Sequence, residues 1–257
     1  MDVLCGNNTK DTPMKIVLFC IVFCMFSLPL FGQKLPIKKI PKPTTTLMTS
    51  DTILYFFDPL CGWCYGFSPV ITSFYEKYSK EIAFDVISGG MITGERIGPI
   101  GEVASYIKTA YKTVEDRTGV KFGEPFLKDI LDEGSTVFSS IPPSQVLMAV
   151  KQLAPIKAFA FASTLKKAIY YDGINLNSFE AYLPYVEAIG ISKEAFMATV
   201  QSETTLEKTL SDFDVSETVG VTGFPTLIYI RDQKAHVLSQ GYVTLDDLIE
   251  RIEKLRK

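Results

Sequence analysis

Apolar positions change period along the chain, and each change marks an element. Residues 52–57, TILYFF, are a continuous β-prone run, the pattern of a strand buried on both faces. After Asp58 and Pro59 the spacing becomes helical, with Phe67, Val70, Ile71, Phe74, Tyr75 and Tyr78 falling on one face. IAFDVIS, residues 82–88, reads as a second strand and completes a β-α-β unit.

GGMITGERIGPIG then forms a glycine-rich loop. It lacks the Gly-Lys-Ser/Thr ending of a phosphate cradle and reads as a connector. From about Glu102 to Gly220 every segment is helical in pattern, each ended by Gly, Pro or Ser/Asn stops. Strands return with PTLIYI, residues 225–230, a polar RDQK turn and AHVLSQGYV as hairpin partner. Thr244 with Asp247 caps a last helix whose Leu245, Leu248, Ile249, Ile252 and Leu255 share a face. The prediction is an α/β protein with a large helical block inserted between strands: core residues 51–90 and 203–257, insert 91–202.

The N-terminal part differs. Met14 and Lys15 open an apolar run from Ile16 to Phe31, about 16 residues, shorter than the roughly 20 of a spanning helix. Residues 1–32 read as a secretory signal peptide, with Met14 as an alternative initiator and cleavage expected after Gly32. A retained membrane anchor is the alternative. Residues 33–50, rich in Pro, Lys and Thr, read as a flexible tether. The expected location is periplasmic or otherwise extracytoplasmic, with membrane contact only if the apolar segment is retained. Nothing in the formal charge of −3 on 257 residues suggests nucleic acid as a partner.

Cleavage would remove Cys5, Cys20 and Cys24, leaving Cys61 and Cys64 in FFDPLCGWCYGFSP. As a staple the pair closes a very small loop and stabilises little. As a metal site it lacks partners, since His236 is the single imidazole; in a predicted hairpin strand, it reads as structural or surface. The third reading is a reactive pair. Cys61 stands at a predicted helix start, where unpaired N–H groups favour a thiolate, so its sulfur is expected exposed and activated, with Cys64 one turn further in.

FDPLCGWCYGFSP resembles the active-site segment of thioredoxin-fold disulfide oxidoreductases, and the helical insert resembles the DsbA family. GVTGFPTLIYI, residues 220–230, resembles the loop and strand that carry that superfamily's cis-proline opposite the cysteines. The resemblance implies a thioredoxin-like fold, a central mixed sheet flanked by helices, with the insert as an all-helical subdomain. It implies Cys61 as attacking and Cys64 as resolving thiol, Pro225 as the cis-proline, and Phe224 offering backbone groups to a bound peptide. Pro69 matches the kink in the active-site helix, and Trp63, between the cysteines, is expected exposed. No metal, flavin or nucleotide cofactor is implied. The partners implied are cysteine-containing exported proteins and a redox partner that reoxidises or reduces the pair.

Two departures bear on the chemistry. Strong oxidants of the family carry a histidine between the cysteines; here the dipeptide is Gly62-Trp63, so the Cys61 pKa is expected nearer ~7 than ~3.5. Many relatives carry a buried acid six residues before the first cysteine, where this chain has Tyr55. Asp58 is the nearest carboxylate, either a proton relay or a cap for the turn. The function expected is an exported thiol–disulfide oxidoreductase. The rivals are a glutathione-dependent isomerase or transferase and a non-catalytic chaperone or binding module.

Overall fold

β1 (Thr52–Phe57) occupies the predicted run, in a computed structural model that describes residues 51–257. The leader and tether expected from the sequence lie outside the described residues. The chain continues through α1 (Gly62–Gly66), α2 (Ser68–Tyr78), β2 (Ala83–Ser88), β3 (Gly98–Pro99) and α3 (Ala104–Thr118). A π-helix (Pro125–Asp132) and β4 (Val137–Phe138) precede α4 (Ile141–Leu153), α5 (Pro155–Tyr170), α6 (Leu183–Ala188), α7 (Lys193–Val200) and α8 (Glu203–Val219). β5 (Thr226–Arg231), β6 (Lys234–Gln240) and α9 (Leu245–Arg256) close the chain.

The main sheet runs β2-β1-β5-β6, with β1 parallel to β2 and antiparallel to β5, and β5 antiparallel to β6. This is the mixed sheet flanked by helices that the sequence predicts, with α3 to α8 inserted between β2 and β5. β1 is central, which is why Ile53, Tyr55, Phe56 and Phe57 are all buried. The β5–β6 turn places Asp232 and Gln233 at φ 50° and 60°, the left-handed geometry that suits a hairpin twist. Thr244 and Asp247 form the predicted capping box on α9.

Two predicted features are corrected. The inserted block is not helical throughout, because Gly98 and Pro99 pair with Phe138 and Val137 in a second, two-stranded sheet. Runs of two residues carry no readable period. The single helix expected after the cysteines is two, with Phe67 (ψ −9°) at the junction. Pro69 lies at the start of α2 and has no N–H to continue the ladder from α1. Among the described residues no helix is long and apolar enough to cross a membrane.

Candidate active site

Asp58 shapes the turn that presents the cysteines. Its carboxylate is fully buried: Oδ1 accepts from the Leu60 N–H at 2.8 Å and the Ser140 hydroxyl at 3.0 Å, and Oδ2 accepts from the Met91 N–H at 2.7 Å. One side chain thus ties together the β1–α1 turn, the glycine-rich loop and the start of α4. Burial raises its pKa, and the bonds from Met91, Leu60 and Ser140 and the charge of Arg96 oppose that shift. The three groups bonded to the carboxylate are two backbone N–H groups and a hydroxyl, none of them a thiol, while the Asp58 main chain lowers the Cys64 pKa through a backbone hydrogen bond.

Cys61 caps α1 in extended geometry, with its N–H bonded to the Asp58 carbonyl at 3.1 Å. Its thiol is held below the ordinary value. The foremost cause is the hydrogen bond from the Cys64 thiol; burial opposes it, and the Cys64 and Trp63 N–H groups assist. Acidification was expected from a helix start, but α1 is only five residues long and the neighbouring thiol leads. Nor is the sulfur open as expected: Cys61 is 7% exposed, because the loop before β5 folds over it. Its Sγ lies 3.4 Å from the Phe224 carbonyl oxygen. Cys64 is wholly buried, which pushes its pKa well up.

The Phe224–Pro225 peptide is cis, and Pro225 is buried at the head of β5. Its carbonyl accepts from the Gly241 N–H at 2.7 Å, while Thr226 Oγ1 donates to the Gly223 carbonyl at 2.7 Å. Trp63 is half-buried rather than exposed, its ring 6.3 Å from that of Tyr242. A groove of about 970 Å³ runs past these groups, lined among others by Cys61, Trp63, Gly90, Arg96, Phe213 and Phe224. The sequence-predicted residues Cys61, Cys64, Trp63, Phe224, Pro225 and Asp58 therefore lie in one neighbourhood, although 163 positions separate Cys61 from Phe224. His236 is elsewhere, on β6 opposite Tyr229. Among the described residues no group of three or more His, Cys, Asp or Glu could hold a metal ion.

One residue of this site escaped the sequence reading. Lys166 on α5 is fully buried and lies 3.0 Å from the Tyr55 hydroxyl and 3.0 Å from the Cys64 carbonyl. Burial lowers its pKa to about 8, against the charges of Cys64 and Cys61. The available signal was positional: Phe159, Ala162 and Ile169, all buried, put Lys166 in the apolar stripe of α5.

A thioredoxin family model matches residues 54–246 of this chain. The chain belongs to the thioredoxin family. Within that family it is DsbA-like, with disulfide oxidoreductases as its structural neighbours. It is similar to the cytosolic disulfide reductase DsbM from Pseudomonas aeruginosa, at 27% identity, covering 80% of this chain and 98% of that one with a TM-score of 0.67. A Nitrosomonas europaea protein, provisionally described as a protein disulfide isomerase, shares the fold at 24% identity and TM-score 0.72, with 80% and 98% of the two chains covered. The ClpXP adapter protein SpxH of Halalkalibacterium halodurans is 20% identical over 189 residues, 70% of this chain. The chain spans 58% of the length of that curated relative. In this thioredoxin-family site the acidified sulfur and the cis-proline loop face one groove.

Proposed function

We propose that this chain is an exported thiol–disulfide oxidoreductase whose Cys61 and Cys64 exchange disulfides with cysteine-containing proteins. One observation carries the reading: the acidified Cys61 sulfur borders a groove of about 970 Å³, 3.4 Å from the Phe224 carbonyl. An extended peptide laid there meets backbone acceptors on one side and the thiolate on the other.

The Cys61 thiolate attacks one sulfur of a substrate disulfide, forming a mixed disulfide while the other substrate sulfur leaves as a thiolate. Cys64 then attacks Cys61 Sγ. The mixed bond breaks, the second substrate thiolate departs, and the chain's pair has lost the two electrons that the substrate gained. The reverse sequence oxidises a substrate dithiol. Trp63, Phe224 and Pro225 frame the substrate, and a redox partner resets the pair. Insulin reduction and refolding of reduced ribonuclease, each with wild type and Cys61→Ala/Cys64→Ala, test this. The double variant is expected to be inactive in both; retained stimulation of refolding would overturn the reading in favour of a binding module, the class to which the SpxH similarity points.

Export rests on the apolar run from Ile16 to Phe31. A mature protein beginning at Gln33 in the extracytoplasmic fraction is expected, and a full-length cytoplasmic protein would overturn export. A second reading, glutathione-dependent reduction, draws on the similarity to DsbM, whose structure with GSH is 25% identical to this chain. Equilibration of the pair with glutathione buffers measures its potential and separates the two directions.

A further inference from the structure

α8 ends against its own electrostatics. The carbonyl end of a helix carries partial negative charge and favours Lys or Arg in its last turn. α8 has no basic residue there; Glu217 stands in that turn, with Asp214 one turn earlier. Three positions apart, the two carboxylates share a face and repel each other. Both are exposed, and among the described residues neither is in an ion pair. Between them in sequence Ser216 is 2% exposed, and its hydroxyl has no hydrogen-bond partner among the described residues. Positions that break local rules without a compensating contact inside the fold are marks of function.

The same face fronts the active-site groove. Leu210, Phe213, Asp214 and Glu217 fall at i, i+3, i+4 and i+7 along α8, and with Ser216 they line the groove that Cys61 borders. Phe213 is half-buried, packed on Gly90, while Leu210 is 40% exposed. Among the described residues lining the groove, Arg96 is the one cation, set on the glycine-rich loop, and its charge reaches Asp58 in the cysteine turn. The α8 wall therefore offers an apolar step followed by two unpaired carboxylates. A long aliphatic side chain with a charged tip fits it: the stem covers Leu210, and the head meets Asp214 and Glu217. The free lone pairs of Ser216 Oγ supply a further acceptor.

We propose that Asp214 and Glu217 are specificity-determining residues of the exchange reaction, selecting peptide and protein substrates that carry Lys or Arg within a few residues of the reacting cysteine. The proposal rests on the disulfide-exchange reading and names the substrate class that this reading leaves open. Both carboxylates are exposed, so each contributes a few-fold in rate and is screened by salt. Their field draws a basic segment toward the groove and turns an acidic one away.

The test follows reduction of the oxidised full chain by capped peptides in which one cysteine is flanked on each side by two Lys, two Gln or two Glu residues. A peptide thiolate attacks Cys61 Sγ, and Cys64 leaves with the electron pair. A second peptide thiolate then attacks the peptide sulfur, forming the peptide disulfide and releasing Cys61. Trp63, the single tryptophan of the chain, lies between the cysteines and reports the change by fluorescence, calibrated with dithiothreitol. Each peptide is compared between wild type and variant, so its own thiol pKa cancels.

Asp214→Asn/Glu217→Gln is expected to slow the Lys peptide about tenfold, leave the Gln peptide within about twofold and speed the Glu peptide. Salt at about 0.5 M should shrink the wild-type preference. Asp214→Lys/Glu217→Lys should invert it, with the Glu peptide fastest. The Asn/Gln variant, relieved of like charge at a helix end, should also unfold at a higher temperature than wild type. A Lys-peptide rate unchanged in that variant, three rates slowed equally, or a lowered unfolding temperature would overturn the proposal and leave the exchange reading standing. A wild type that dithiothreitol reduces and none of the peptides does would overturn the exchange reading itself.

Discussion

The ring of Phe224 lies so close over Gly89 that a methyl group on the glycine would stand 1.9 Å from Cζ. The glycine-rich loop is thus the surface on which the cis-proline loop rests, and the carbonyl facing Cys61 keeps its place through that contact. Gly89→Ala is expected to displace Phe224, lower stability by about 1–3 kcal/mol and reduce exchange with protein disulfides severalfold. Urea unfolding and insulin reduction measure the two effects.

The hydrogen bond from Cys64 leads the causes that acidify Cys61. Cys64→Ala removes it, so the Cys61 thiolate appears at higher pH than in the wild type. Iodoacetamide alkylation followed against pH reads the midpoint, and an unchanged or lower midpoint would refute the assignment.

Asp58 holds three donors and raises the Cys61 pKa through its charge. Asp58→Asn removes the charge and turns an amide toward one of the donors. The expected result is a loss of about 1–3 kcal/mol together with a Cys61 midpoint shifted down, seen by urea unfolding and alkylation on the same variant.

Lys166 titrates at about 8 folded against an ordinary 10.5. Because its folded pKa is lowered, the unfolded chain binds the extra proton between those values, and stability rises with pH across that window. The difference of about 2.5 units corresponds to about 3 kcal/mol over the full span. In the disulfide form, where neither thiol titrates, unfolding from pH 7.5 to 10 should show this rise in wild type and not in Lys166→Met.

Much of the fold was legible because its signals are local. The apolar run of β1, the capping box of Thr244 and Asp247, and Pro69 each act within a few residues of where they stand. Cys61, Cys64 and Pro225 were legible through two short motifs. The pairing of Gly98 and Pro99 with Val137 and Phe138 was not, since two-residue strands have no period. Lys166 and Lys167 look alike in sequence, yet one is fully buried beneath the cysteines and the other pairs with Asp172 at 3.1 Å.

The sequence by itself determined where the strands, the capped helices and the cysteine pair would fall, because hydrophobic period, proline and capping are decided by near neighbours. Only the tertiary structure decided that Cys61 lies covered under Phe224, that Asp58 spends its oxygens on three separate segments, and that a lysine 102 positions away bonds the Cys64 carbonyl. Burial and hydrogen bonding between distant segments set the charge states of these groups. Those quantities come into being when α5 packs on β1, and no local stretch of chain contains them.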